Sequence, residues 1–454
     1  MEKRPVSHDP VHADDLHQRF SGADELIEYA RTSEPVKKAE EYWHMLGPGL
    51  TTGASDDDPS GVATYSQTGA IYGYQLLWMS WFTFPLMSIV QEMCARIGLV
   101  TGRGLAGNIR RHYPRWVLYT CTVLLFAANA FNIGANLGAM ARAVQLLIPQ
   151  ANFAFVLVMF ALASLSLQIF SSYGTYARYL KWLALILISY VVTAFTINLP
   201  WGEVFKGFVI PTVTFSRDQV FLICGILGTT ISPYLFFWQT SQEVEGQILD
   251  GKTSIKARQQ EVTKSEIHSM RVDVWSGMFL SNLVMFFIIV VCAATLHSEG
   301  IIIETASDAA KALEPLAGSA AKWLFAIGII GTGMLAVPVL AGSASYALSE
   351  SFGWKEGLYR KFKQAQAFYG VIIVSMLVGL LLNFVGIHPI KALIYSAVAN
   401  GIVAPVVLVL IVLMSSNKHV MGEHVNKPLV KGLGWFITIV MLAASLATIV
   451  LLLV

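Results

Sequence analysis

Charge is scarce in this chain. Only 13% of its 454 residues are Asp, Glu, Lys or Arg, while 55% are hydrophobic; an average soluble domain carries about 25% charged residues. An extensive water-facing surface is thereby excluded, and most of the chain has lipid as its solvent. Cysteine is sparse as well. Cys94, Cys121, Cys224 and Cys292 stand singly in apolar runs, with no CxxC pair and no metal-ligand spacing, so they read as packing residues. There is no nucleotide loop, nucleophile triad or zinc motif, so the chain is not expected to be an enzyme or to hold a cofactor. No cleavable signal is expected, because the first apolar run starts only after residue 44. A net charge of +2 says little about partners, and no nucleic-acid partner is expected.

What the chain does have is long apolar runs. Eleven are long enough for membrane helices, at about 46–70, 74–99, 116–148, 151–171, 180–200, 218–245, 268–297, 320–349, 366–387, 390–415 and 432–454. Alternate connections are basic: Arg103, Arg110, Arg111 and Arg115 follow span 2, and Lys252, Lys256, Arg258 and Lys264 follow span 6. Further basic residues follow spans 4 (Arg178, Lys181), 8 (Lys355, Arg360, Lys361, Lys363) and 10 (Lys418, Lys427, Lys431), whereas 297–322 is mainly acidic. This asymmetry places the N-terminus in the cytoplasm and the C-terminus outside. Residues 1–44 read as a soluble cytoplasmic tail, helical in part around Ala23–Arg31. Nothing in the sequence specifies an oligomeric state.

Two spans are interrupted at corresponding places. Span 1 carries TTGASDDDPSG at 51–61, and span 6 carries Gly225, Gly228, Thr229, Thr230, Ile231, Ser232 and Pro233. Proline removes an intrahelical donor and clashes one turn back, while glycine lowers the cost of unwinding. Backbone groups freed inside a membrane persist only where protein, water or an ion satisfies them. Five helices separate one break from the next, as expected if spans 1–5 and 6–10 form an inverted repeat with substrate bound between the broken helices. Three adjacent carboxylates, Asp56, Asp57 and Asp58, lie in the first break. Each costs roughly 2.5–3.5 kcal/mol at mid-bilayer, so they must be hydrated, neutralised or bound to a cation. Asp56 and Asp57 have three open roles: lining a hydrated vestibule, ligating directly, or capping the second half of the helix.

The runs GPGL at 47–50, DPSG at 58–61, GYQLLW at 73–78, ARIGLVTGRGLA at 95–106, GILGTTISPY at 225–234 and LFAIGIIGTGM at 324–334, with Asp273 at the head of span 7, occur in order along the chain. In these the sequence resembles the NRAMP metal-ion transporters. The resemblance implies an all-α integral membrane protein of the amino acid–polyamine–organocation, or LeuT-like, fold. Its domains would be the tail 1–44, a first repeat over 45–217, a second over 218–416, and a loop with one extra helix over 417–454. A bacterial plasma membrane is the implied location.

The family's first break reads DPGN, whose Asp and Asn bind metal; Asp58 matches the Asp, and Gly61 stands in place of the Asn. At the second break Thr229 stands at the position whose carbonyl is a ligand, Ser232 replaces a Met, and Tyr234 replaces a His. The soft thioether donor is therefore missing. Oxygen ligands suit Mg²⁺, Ca²⁺ and Mn²⁺, and Mg²⁺ binds through one or two carboxylates while keeping several waters. The expected metal set is Asp58, the Thr229 carbonyl and the Ser60 and Ser232 hydroxyls, with Asp56 and Asp57 beside them and Gly61 leaving room for hydration. The expected substrate is Mg²⁺ ahead of Mn²⁺, as in divergent NRAMP-related magnesium transporters.

Proton coupling is expected to be impaired. The resemblance puts the family's acidic pair of span 3 on Asn132 and Ala135, and its span 6 histidines on Tyr234 and Gln239, none of which exchanges protons near neutral pH. Asp273 has two open roles, proton carriage or pairing with Arg271 or another basic residue. Asn129, Asn132 and Asn136 share one face of span 3, and with Asn400 of span 10 they are candidates for lining the pathway or for bonding helices together. Two other functions stay open: transport of a small organic solute such as an amino acid, held on unwound TTGAS and TTIS backbone, and a non-transporting NRAMP-like sensor.

Overall fold

The structure is a computed structural model that describes residues 47–170, 187–260 and 262–453. The expected tail 1–44 with its helix at Ala23–Arg31, and the part of spans 4 and 5 at 171–186, lie outside these. Among the described residues every regular element is helical. Helices of eight residues or more are α1 (Pro48–Asp56), α2 (Pro59–Tyr72), α3 (Trp78–Thr101), α4 (Leu105–His112), α5 (Arg115–Leu147), α6 (Phe153–Phe170), α7 (Ile188–Thr196), α8 (Trp201–Val209), α9 (Arg217–Thr230), α10 (Pro233–Leu249), α11 (Lys264–Cys292), α12 (Ala321–Phe352), α13 (Gln366–Leu382), α14 (Pro389–Ser415) and α15 (Pro428–Leu453). Each expected span coincides with one of these helices or with a broken pair, span 5 being described only over α7. By length and composition alone, seven helical segments among the described residues suffice to cross a membrane.

The two interruptions are built alike. Asp57 and Asp58 separate α1 from α2, and Ile231 and Ser232 separate α9 from α10; a proline, Pro59 or Pro233, then opens each second helix. Proline disfavours α geometry in the preceding residue, and Asp58 (φ −69°, ψ 168°) and Ser232 (φ −81°, ψ 133°) are extended. Its fixed φ then suits the first helical position. The expected glycine unwinding does not occur: Gly53 lies inside α1, and Gly225 and Gly228 lie inside α9. These glycines serve close approach instead. A Cβ on Gly53 would stand 2.3 Å from the Gly277 carbonyl oxygen of α11, and one on Gly228 2.3 Å from the Gly401 nitrogen of α14. Small residues at such crossings let membrane helices pack backbone to backbone, which seats each broken helix on an unbroken one.

One charged cluster on α3 and α11 is paired. Glu92 on α3 takes a hydrogen bond from Arg271 at 2.9 Å and another from Trp275 Nε1 at 2.9 Å, and lies 3.5 Å from Arg96. Arg271 is thereby committed to Glu92 and not to Asp273. Asp273 caps the start of α1, accepting from the Gly49 nitrogen at 2.6 Å and the Leu50 nitrogen at 3.0 Å. The first amides of a helix have no partner within it, so this contact from α11 fixes where α1 begins.

Candidate metal-ion site

Asp58 is almost fully buried and is the N-cap of α2. Its Oδ1 accepts from the Ser60 hydroxyl at 2.5 Å and from the Gly61 amide at 2.9 Å, and its Oδ2 accepts from Asn136 Nδ2 of α5 at 2.9 Å. Three donors and the positive end of α2 orient a charged carboxylate. Capping therefore falls to Asp58 itself, and the Ser60 hydroxyl is spent on orienting it.

Asp56 and Asp57 converge on a residue that motif reading did not single out. The Ser281 hydroxyl of α11 lies 2.6 Å from Asp56 Oδ2 and 3.2 Å from Asp57 Oδ1. One hydroxyl hydrogen cannot serve both oxygens fully, and Asp56 Oδ1 is buried with no hydrogen-bond partner. The arrangement leaves Asp56 Oδ1 an acceptor able to take a cation or a proton. Among the described residues none of the three aspartates forms an ion pair with Lys, Arg or His.

The second break faces the first. A Cβ on Gly61 would come within 3.1 Å of Thr229 Oγ1, 3.3 Å of the Asp56 carbonyl oxygen and 3.4 Å of Tyr65. Gly61 thus lets the breaks close together; the hollow expected beside it is filled. The Ser232 hydroxyl donates to the carbonyls of Gly228 at 2.7 Å and Thr229 at 2.8 Å, so it is turned onto its own helix end. Thr229 keeps its second carbonyl lone pair. The Tyr234 hydroxyl donates to the Ser55 carbonyl at 3.1 Å, satisfying one free acceptor at the end of α1. α1 ends at Asp56, and Thr229 near the end of α9 meets Gly61, three residues after Asp58; helix C-terminal ends attract cations.

The remaining expected residues divide by position. Gln239 accepts from Thr52 of α1 at 2.5 Å and donates to Glu243 at 2.9 Å, which ties α10 to the first half of span 1. Asn132 accepts from Ser396 of α14 at 3.1 Å, and its amide nitrogen has no partner. Asn400 is fully buried with neither amide atom bonded. Asn129 donates to Leu340 O and Ser343 Oγ and so binds α5 to α12. Of the three asparagines on one face of α5, Asn136 donates to Asp58 directly, and the Asn132 side chain also lies beside that carboxylate. Ser281 and Glu243 carry no motif that marks them in the sequence. Among the described residues no three His, Cys, Asp or Glu side chains converge into a metal-holding cage.

Similar sequences and folds occur among membrane transporters. A protein named divalent metal cation transporter MntH from Klebsiella pneumoniae is 27% identical over 428 residues, covering 92% of this chain and 95% of its own. The Bacillus subtilis protein of the same name is 24% identical and covers 89% and 92%. Among solved structures, the Eremococcus coleocola manganese transporter superposes with a TM-score of 0.69 at 18% identity over 89% of this chain and 85% of its own. MhsT in complex with L-phenylalanine gives 0.52 at 11% identity over 90% and 97%. These likenesses establish an inverted-repeat fold of the LeuT type with helices 1 and 6 broken and an eleventh span added. Residues 49–451 match the family described as natural resistance-associated macrophage protein-like, and the chain belongs to the Nramp family.

Proposed function

We propose that the protein carries a divalent metal cation across the membrane, Mg²⁺ in preference to Mn²⁺, down its electrochemical gradient and without a coupled proton. The observation that carries this reading is the buried Asp58 carboxylate, oriented by Ser60, Gly61 and Asn136 at the junction of two helix breaks, beside two further aspartates that have no basic partner among the described residues. Related proteins bear names that specify divalent metal cations and manganese. The preference for a harder ion rests on Ser232 standing where the resemblance places a thioether. Asp56, Asp57 and Ser281 form the approach, Asp58 and the Thr229 carbonyl the direct contacts, and Tyr234, Gln239, Asn132 and Asn400 the polar walls.

The N-terminus and the basic connections face the cytoplasm of a bacterial plasma membrane. A membrane potential acts on a dication with about 4.6 kcal/mol per 100 mV, enough for inward accumulation of roughly three orders of magnitude. No proton needs to move with it. An organic solute with a carboxylate is disfavoured, since the TTGAS segment is helical and ends in three acids of the same sign. The test is flux into liposomes held inside-negative, with a metal-sensitive and a pH-sensitive dye in the lumen. Mg²⁺ and Mn²⁺ entry at constant lumenal pH is expected. Acidification in step with metal entry would refute the uncoupled mechanism, and amino-acid-stimulated currents without metal entry would refute the substrate class.

A further inference from the structure

Away from the two helix breaks, a cavity of about 670 Å³ opens at the basic end of the bundle. It lies between the α3–α4 turn, the last turns of α10, the end of α12 and the segment after it. Six cationic side chains line it: Arg103, Arg110, Arg111, Arg258, Lys355 and Arg360. Among the described residues none of the six forms an ion pair. Arg258 is pinned by carbonyls, its Nε at 3.1 Å from Gly102 O and its Nη1 at 3.0 Å from Thr253 O. Arg103 Nε is buried with no acceptor at all.

The same cavity is lined by Glu245, Glu350 and Glu356, and they do not cancel this charge. Glu245 accepts from the Tyr346 hydroxyl and the Leu358 amide, and Glu350 accepts from the Gly107 amide at 2.7 Å, so both are held by the protein's own donors. Burial together with the neighbouring Glu350 and Glu245 carboxyls pushes Glu356 up to about 9, which leaves it protonated at neutral pH. Six cations thus face at most two carboxylates. The walls are also preformed: the Arg360 guanidinium lies 4.8 Å over the Tyr359 ring, and Trp354 stacks on Phe352 at 4.9 Å.

We propose that this cavity binds a phosphate-bearing anion, either the headgroup of an anionic lipid or a soluble phosphate ester. Several guanidiniums around one space match the planar, bidentate recognition of phosphate oxygens. The volume falls within the roughly 300–1,000 Å³ usual for small-ligand sites. The cations come from both halves of the chain: Arg103, Arg110 and Arg111 follow span 2, whereas Arg258, Lys355 and Arg360 follow spans 6 and 8. An occupant therefore bridges the two halves at the end from which transported ions leave or enter. Binding itself does not depend on the metal reading of the broken helices.

The test uses the full chain in neutral-lipid nanodiscs with EDTA present, titrated calorimetrically with ATP and with tripolyphosphate. In parallel, thermal unfolding is compared between phosphatidylcholine discs with and without phosphatidylglycerol. Saturable binding of either titrant assigns a soluble source, and stabilisation by phosphatidylglycerol alone assigns a headgroup. In either case Arg103→Gln is expected to weaken the response about tenfold, the loss of one charge-assisted contact. The surface variants Arg111→Glu and Lys355→Glu, which leave the packed interior alone, should weaken it similarly. No response in any arm, or a response unchanged in all three variants, overturns the proposal.

Discussion

Asp58→Asn removes one charge from the first break while preserving its shape, which makes it a sharper perturbation than truncation. The new amide oxygen still accepts from the Ser60 hydroxyl and the Gly61 nitrogen. Its amide nitrogen replaces Oδ2 and meets Asn136, whose Nδ2 now donates to Asp58 and whose Oδ1 is buried without a partner. Rotation of the Asn136 amide by half a turn restores the contact with the donor on the other side, so the fold should hold within about 1 kcal/mol. Ion binding should not hold. A unit charge pair at about 4 Å is worth about 4 kcal/mol at an effective dielectric near 20, and a dication doubles this. Water regained by the ion and the remaining neutral oxygen offset roughly half, leaving a loss of about 4 kcal/mol, or about three orders of magnitude in Kd. Calorimetric titration of Mg²⁺ and Mn²⁺ against detergent-solubilised protein reads this directly, with the thermal midpoint as the control for folding. A variant that folds normally and binds within tenfold of the parent would show that Asp58 only caps α2.

Three further outcomes follow from particular contacts. Ser232→Met frees the Gly228 and Thr229 carbonyls from the serine hydroxyl and adds a soft donor; competition titration should show Cd²⁺ gaining roughly tenfold on Mg²⁺, and an unchanged ratio would place residue 232 outside the coordination sphere. Asp273→Ala strips two acceptor contacts from the Gly49 and Leu50 amides, which should cost about 1–3 kcal/mol and accelerate hydrogen exchange in α1 selectively; uniform exchange across the bundle would refute the cap. Glu356 titrates near 9 in the folded protein against an ordinary value of 4.5, so between those values the folded state holds a proton that the unfolded chain has released, and stability falls as pH rises across that window. Glu356→Gln should flatten that fall, matching the parent near pH 4 and exceeding it at pH 8, and parallel stability curves for the two proteins would contradict it.

The breaks were legible because proline speaks locally. Proline disfavours α geometry in the residue before it, and the two-residue gaps fall just before Pro59 and Pro233, whereas Pro85, Pro338 and Pro405 sit inside unbroken helices. Glycine is ambiguous by comparison. Gly53 and Gly228 read as points of unwinding, yet both are helical and permit contact with Gly277 and Gly401, because the same missing Cβ serves a loose backbone and a tight crossing equally well. Long-range partners left no local trace. Ser281 stands 225 positions from Asp56, and Asp273 stands 224 from Gly49, so their roles emerge only when α11 is laid against α1. Arg271 pairs with Glu92 on α3 instead of Asp273 for the same reason, since the competing acceptor is remote in sequence.

The amides on α5 bear on the charge balance of the site as a whole. Where the resemblance places acidic groups on span 3, this chain has Asn132 and Ala135, and one turn further on Asn136 donates to Asp58. Three carboxyls are already concentrated in residues 56–58 without a basic partner. A fourth on α5 would either repel them or hold a proton of its own, and in both cases binding of a dication would be tied to a titration event. An amide contributes the opposite: a donor that steadies the ionised form of Asp58 and a carbonyl oxygen, unpartnered in Asn136, that is left for an aquated ion. Loss of the span 3 acid and crowding of acids at the break are therefore linked features, since negative charge is gathered where the two broken helices meet and kept off the helix that flanks them. Asn136→Asp separates this linkage from simple loss of a hydrogen bond. It should make Mg²⁺ affinity fall as pH drops through the titration of the added acid, where the parent's affinity changes less over the same interval, and equal pH profiles for the two proteins would break the link.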